Sequence, residues 1–253
     1  MTCRTLESKV GTPNRMVSAA PQLALERTWP FIAALLVITF AAFWPTYFAP
    51  GLSSSSFYVH LHAITAASWM ILLIIQPLLI RRYNFDAHRA AGRISYVLVP
   101  VLLVSMVLLA NYRVRSVPEE VYRLQTYVLY LQFSLAGLFA ISFILATIYK
   151  KEAEVHARFM ICTALTLIDP VFARAFFWMD PTTVEYHQYL TYGLTDLLFL
   201  VLVFLERRNA RGRWVFPLML VVFVLMQIPA LLWLTDWPAW QSVASWFRSL
   251  ALT

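Results

Sequence analysis

The sequence predicts an all-α fold: a polytopic membrane helix bundle with about seven transmembrane helices, the N-terminus cytoplasmic and the C-terminus outside. Hydrophobic residues make up 60% of the 253 positions and charged residues only 13%, whereas soluble domains carry about 25% charged residues. The apolar residues form long runs, and the cations are concentrated in the short segments between them. Because the runs are long and do not alternate with polar residues, they predict helices rather than barrel strands.

Seven segments are long enough to span a bilayer, since a spanning helix needs about 20 mostly apolar residues. They cover 29–48, 58–80, 94–111, 125–149, 155–178, 187–205 and 214–235. The polar stretches between them are interpreted as loops, among them the stretch RRYNFDAHRAAGR before the third span.

The spans divide the chain into three predicted parts: an N-terminal cytoplasmic tail, 1–28, the transmembrane domain, 29–235, and an outer interfacial segment, 236–253. The tail has no apolar centre, so we do not expect it to be a cleavable signal peptide. The last part contains three tryptophans, which suit the headgroup level of a membrane. A frayed aromatic tail is the alternative interpretation.

The distribution of cations predicts the orientation. With the N-terminus inside, the inner segments hold 15 of the 20 Lys and Arg residues, as the positive-inside rule requires. We therefore expect a multi-pass protein of the bacterial cytoplasmic (inner) membrane, with the lipid bilayer as its partner. Nucleic-acid binding is not expected, because the basic residues are dispersed over four inner segments.

Ionisable side chains inside membrane helices usually mark functional sites, and several fall toward the outer half. His62, Trp69 and Gln76 share one face of the second span by helical phase. His60 lies about 200° around the helix from His62, and which of the two faces inward stays open. The residues predicted to line an outer, ligand-binding polar cavity are His62, Gln76, Asp169, Arg174, His187, Tyr192 and Asp196.

Asp169 and Arg174 flank Pro170 in the fifth span. Each charge costs about 2.5–3.5 kcal/mol to insert into a membrane, so both should face the interior. The proline loosens the helix enough for the two to pair, and a pair that only fixes helix packing is the alternative.

A second polar group is expected at the cytoplasmic face. The stretch HRAAGRISYVLVP places Arg89 and Arg93 four residues apart, where they can grip an anion or lipid phosphate together. The predicted residues of this site are His88, Arg89, Arg93, His156 and Arg158. Positive-inside residues without a specific partner are the alternative interpretation.

The stretches HLHAITAASWMILLIIQPLLIRR, HRAAGRISYVLVP and HARFMICTALTLIDPVFAR resemble an uncharacterised bacterial family of multi-pass membrane proteins, a DUF2306-like group. The matching positions are His60 or His62, then His88, Arg89, Gly92, Arg93 and Tyr96, and finally His156, Met160 and Arg174. The resemblance covers about 58–175 and implies an integral membrane protein without an assigned activity.

The chain is also similar, more weakly, to cytochrome b561-type proteins, which hold two b haems by paired histidines. This resemblance implies haem b or a metal ion as cofactor, with His62 and His187 as one ligand pair and His88 and His156 as the other. The position of His88 at a loop and the other spacings depart from that family.

Three hypotheses about function follow. The first is small-molecule or proton binding or transport in the polar cavity, the second is histidine-ligated haem or metal redox chemistry, and the third is a structural or accessory role. No catalytic residue is assigned, because the chain contains neither a Gly-x-Ser-x-Gly elbow nor a phosphate-binding glycine loop.

Overall fold

The computed structural model describes residues 25–179 and 184–253, and these residues form helices and connecting turns with no β-strand. The α-helices are α1 (Trp29–Phe43), α2 (Phe57–Arg81), α3 (Phe85–Ser116), α4 (Tyr122–Ile148), α5 (Ala153–Leu165), α6 (Ile168–Met179), α7 (Val184–Glu206), α8 (Val215–Leu231) and α9 (Pro238–Ser249). A π-helical turn, Trp44–Phe48, extends α1. The prediction of an all-α polytopic membrane bundle is confirmed.

Six helical stretches of the described chain are long and apolar enough to cross a membrane: Trp29–Phe48, Phe57–Arg81, Phe85–Ser116, Glu119–Ile148, Ala153–Met179 and Tyr186–Glu206. The seventh predicted segment contains α8, which has 17 residues. That length is below the roughly 20 residues that span a bilayer without tilt or thinning.

The helix α3 starts earlier than the sequence predicts, so the prediction of a long loop before the third span is wrong. The helix begins at Phe85, because the side chain of Asn84 accepts a hydrogen bond from the amide of Ala87 at 3.1 Å and so caps the first turn. The connection from α2 is consequently short, and His88 lies in the first turn of α3.

The helices pack as a bundle in which α1 contacts α2 and α6, α3 lies between α2 and α4, and α7 lies between α6 and α8. One apolar cluster is formed by residues from all five helices between α4 and α8, and it includes the fully buried Phe159, Phe199 and Phe216. A second cluster is formed by residues from the first five helices, α1 through α5, around Trp69 and Phe139. The rings of these two residues meet edge to face, with their centres 5.3 Å apart. The candidate sites lie between and beside these two clusters.

The amphipathic helix α9 covers the C-terminal end of α3 and the N-terminal end of α4. Its Ala244 and Phe247 are buried against Ala110 and Val114 of α3 and against Leu129 of α4. Trp246, on the opposite side, is 61% exposed. One side of α9 therefore packs on the bundle, and the other carries an exposed aromatic ring.

Hydrogen bonds to the backbone fix α9 in place. The buried amide of Asn111 donates to the carbonyl oxygens of Phe247 and Leu250, at 2.8 and 3.2 Å. The indole nitrogen of Trp240 donates to the carbonyl oxygen of Thr126 at 3.0 Å. Polar groups of α3 and α4 thus find their partners in, or just after, α9.

Candidate functional site

The predicted fifth span is interrupted near its middle, where α5 ends at Leu165 and α6 begins at Ile168. Pro170 accounts for the break, because a proline has no amide hydrogen to donate to the carbonyl four residues earlier, at Thr166. The chain turns through Thr166 and Leu167 and places Asp169 in the first turn of α6. Interrupted membrane helices are a frequent setting for binding sites.

Asp169 is 5% exposed and is bound by neutral groups. The side-chain amide of Gln188 donates to its Oδ1 at 2.7 Å and also contacts the hydroxyl oxygen of Thr191 at 3.1 Å. Asp169 and Arg174 do not form an ion pair, since the guanidinium of Arg174 lies over the ring of Phe43, 5.3 Å from its centre. Asp169 is thus a buried carboxyl group hydrogen-bonded by an amide and not by a cation.

A second carboxyl group lies on the neighbouring helix. Asp196 of α7 is partly exposed, and its Oδ1 accepts a hydrogen bond from the side-chain amide of Gln227 of α8 at 3.0 Å. Asp169, Tyr192 and Gln227 line a common cavity of about 20 Å³. That volume suits about one water molecule.

A larger cavity of about 130 Å³ lies on the other side of the α5–α6 break. Its walls are mostly apolar, and the polar residues that line it are His62 of α2, Gln132 of α4 and Thr166. Oε1 of Gln132 is buried and has no hydrogen-bond partner. A buried acceptor without a partner costs free energy.

The question of which histidine faces inward is answered by their partners. His62 lines the larger cavity and contacts the hydroxyl of Ser105 with Nδ1 at 3.2 Å. His60 points elsewhere, with Nδ1 2.7 Å from the hydroxyl of Tyr47. Trp69 and Gln76, on the predicted face of His62, are both buried.

The seven residues predicted for one outer cavity are divided between several environments. Asp169 and Tyr192 line the small cavity, and Asp196 reaches it through Gln227. His62 lines the larger cavity. The other three, Gln76, Arg174 and His187, line neither cavity. Gln76 donates to the carbonyl oxygen of His88 at 3.3 Å. Arg174 lies over the ring of Phe43, and His187 lies beside Phe176 with ring centres 6.2 Å apart.

The predicted cytoplasmic-face residues are also divided. Arg89 and Arg93 are exposed, and Arg89 pairs with Asp86 at 2.5 Å. Nδ1 of His156 lies 2.8 Å from the carbonyl oxygen of Ala146 and donates to it. These side chains remain close to the inner ends of their helices.

Arg158, by contrast, is fully buried and unavailable to a phosphate group. Its Nε donates to Oε2 of Glu206 at 2.9 Å, and its Nη2 forms an ion pair with the same oxygen. Nη1 donates to the carbonyl oxygen of Glu154 at 2.7 Å. This pair joins α5 to the end of α7.

The histidine pairs considered for haem or a metal do not share a described cavity. The larger cavity is lined by His62 but not by His187, and the smaller one by neither. Within 25–179 and 184–253, no group of three or more His, Cys, Asp or Glu residues is placed to hold a metal ion. The donors around these two cavities therefore do not fit a metal or haem bound by paired histidines.

Several polar residues of these sites were missed by the sequence analysis. All are uncharged except one, and each lies within or at the end of an apolar run: Gln132, Thr166, Gln188, Thr191, Glu206 and Gln227. Their signal was an amide or hydroxyl in an otherwise apolar span, which is weaker than the signal of a charge because its insertion cost is smaller.

No protein-family model, curated protein or solved structure matches this chain.

Proposed function

We propose that this membrane protein carries protons through its helix bundle, with Asp169 and Asp196 as the groups that bind and release them. The observation that carries the proposal is the pair of membrane-embedded carboxyl groups joined through Gln227 and a cavity the size of one water. Chains of carboxyl groups inside membrane helices are typical of proton pathways.

The depth of the two carboxyl groups supports this proposal. Asp196 is the thirteenth of the 23 residues of α7, and Asp169 is the seventeenth of the 27 residues of the Ala153–Met179 stretch. Both therefore lie near the middle of their helices, where structural needs alone rarely place an acid. Because the hydrogen-bond partner of Asp169 is the neutral amide of Gln188, Asp169 can gain or lose a proton without breaking an ion pair.

The environment on the inner side gives the pathway a direction. Phe223 lines the small cavity and packs against the buried Phe199, with ring centres 4.7 Å apart, and the core toward the inner end of α7 is apolar. Beyond them lies the buried Arg158–Glu206 pair. Protons reach Asp169 and Asp196 from the outer side in this conformation, and release to the inside requires these apolar contacts to separate.

The proposal includes seven spans, with α8 as the last, a cytoplasmic N-terminus and a location in the bacterial cytoplasmic membrane. The cation distribution supports the orientation. Local thinning of the bilayer at α8 accommodates its 17 residues.

The test is proton flux into sealed liposomes that contain the purified protein and a trapped pH-sensitive dye. With a potassium gradient and valinomycin to drive the flux, we expect dye acidification with the wild type. Asp169→Asn and Asp196→Asn should both lose most of it, because asparagine keeps the size of the side chain but carries no exchangeable acidic proton. The matched control is Asp86→Asn, since Asp86 is exposed on the bundle surface.

Flux at the wild-type level in both asparagine variants would contradict the proposal, as would a wild type that does not exceed empty liposomes. If instead the two substitutions change only the unfolding midpoint, the structural or accessory hypothesis is favoured. Thermal unfolding of each variant is therefore measured on the same preparation.

A further inference from the structure

A second, separate site emerges from the cavity of about 130 Å³ between α2, α3, α4 and the α5–α6 break. We infer that it binds a neutral molecule about the size of one aromatic ring that carries a hydroxyl or N–H donor. The inference does not depend on proton transport by Asp169, which lines the other cavity, and Asp196, which accepts a hydrogen bond from Gln227 of that cavity.

The size of the cavity limits the ligand. Typical pockets for drug-sized ligands enclose about 300–1,000 Å³, so this cavity is too small for them. An apolar cavity of about 150 Å³ holds benzene, which makes a single ring the appropriate scale. Leu102 and Phe139, both 2% exposed, and Met106 provide apolar contact surface for such a ring.

The hydrogen-bonding groups determine what the ligand must supply. The hydroxyl of Ser105 donates to the carbonyl oxygen of Leu102 at 2.6 Å. Its single proton is therefore used, and Nδ1 of His62, 3.2 Å away, acts as the donor to the Ser105 oxygen. The neutral imidazole then presents Nε2 as an acceptor. The side-chain amide of Gln132 also lines the cavity, but its Oε1 is buried from the cavity and has no partner, so the group that the amide offers to a ligand is Nε2, a donor.

Thr166 does not offer a free donor, since its hydroxyl donates to the carbonyl oxygen of Thr163 at 2.8 Å. A hydroxyl on the ligand can therefore donate to Nε2 of His62 and accept from the amide of Gln132. None of the described residues that line the cavity is Asp, Glu, Lys or Arg. A charged ligand would lose its hydration without gaining a counter-ion, so the site favours a neutral one.

The probes are 4-fluorophenol, which has a ring and one donor, and fluorobenzene, which has the ring alone. Binding to the full-length protein in lipid nanodiscs is followed by fluorine NMR, with empty nanodiscs to subtract partition into lipid. We expect saturable binding of 4-fluorophenol that is about two- to tenfold tighter than that of fluorobenzene, the range of one net hydrogen bond.

Two variants separate the polar and apolar contributions. Gln132→Leu keeps the approximate volume but removes the amide that a phenol oxygen can accept from, so it should weaken 4-fluorophenol by the same two- to tenfold factor and leave fluorobenzene unweakened. Ala66→Leu fills the cavity, which Ala66 lines, and should abolish saturable binding of both probes. Thermal unfolding identifies a variant that has not folded, and the comparison of the two probes on the wild type does not depend on either variant.

Absence of saturable binding to the wild type would overturn the inference, as would full binding in the Ala66→Leu variant. Equal affinity for the two probes, or an equal loss of both in Gln132→Leu, would overturn the assignment of a donor-bearing ligand. Because no step measures proton flux, these outcomes are independent of the test of Asp169 and Asp196.

Discussion

Replacing Glu206 by glutamine tests the buried ion pair between α5 and α7. Arg158 is 0% exposed and Glu206 is 1% exposed, so the substitution leaves a guanidinium group buried without its main counter-charge. The carboxylate of Glu154, at 3.8 Å and partly exposed, is too distant to replace it by a direct hydrogen bond. Removal of one partner of a buried pair typically costs about 3–5 kcal/mol, and we expect a loss of that size in the free energy of unfolding.

The removal of both charges should have a much smaller effect. Isolated buried charges are costly because of desolvation, and apolar replacements of similar volume are often neutral or stabilising by about 1–4 kcal/mol. We therefore expect the free energy of unfolding of the Arg158→Met, Glu206→Leu double variant to be no more than about 1 kcal/mol below that of the wild type. The double variant should also be more stable than Glu206→Gln. An exposed pair, Arg123 with Asp236, provides the matched control, because such pairs contribute only about 0–1 kcal/mol.

The assay is reversible unfolding in mixed micelles with an increasing fraction of denaturing detergent, followed by tryptophan fluorescence. A loss below about 1 kcal/mol in Glu206→Gln would show that the charge of Glu206 does not hold α5 and α7 together. A double variant that is less stable than Glu206→Gln would refute the argument from desolvation.

Two further predictions concern the surroundings of these two pairs. Gly212 has φ of +72°, and a Cβ built there would lie 2.8 Å from Nη1 of Arg158, so Gly212→Ala should lower the free energy of unfolding by at least about 1 kcal/mol in the same assay; an unchanged value would contradict this. The hydrogen bond from Arg123 lowers the pKa of Asp236 in the folded protein. The ionised Asp236 therefore stabilises the fold at pH values above its pKa in the unfolded chain, about 3.9, and this stabilisation is lost as the pH falls through the pKa in the folded protein. The difference between wild type and Asp236→Asn should therefore shrink as the pH falls from about 5 toward 2, and a difference that grows would refute the assignment.

The fold was largely predictable because membrane helices must satisfy their own backbone, so length and hydropathy alone locate them. Helical phase also correctly placed Trp69 and Gln76 on a buried face of α2. The start of α3 was not found, because the polar residues before Gly92 suggested a loop, whereas the cap at Asn84 allows them to form a helical turn.

The candidate sites were only partly predictable. Charged residues such as Asp169 and Asp196 attract attention because their insertion cost is large, but the sequence does not specify the partner of each. Glu206 appeared to belong to a basic loop, and its pairing with Arg158 joins positions 48 residues apart. Gln132 gave no strong signal, since its role depends on a cavity formed by three other segments.

The packing of α9 has a consequence for assembly in the cell. Asn111 and its partner Phe247 are 136 positions apart, and synthesis at about 5–20 residues per second separates their appearance by about 7–27 s. For most of that interval α3 and α4 are complete, while the polar groups that later bind α9 have only water, lipid headgroups or an insertion chaperone as partners. Closure of the outer layer is therefore a late step in biogenesis, and a nascent chain that stalls before α9 presents an incomplete surface for membrane quality-control proteases to recognise.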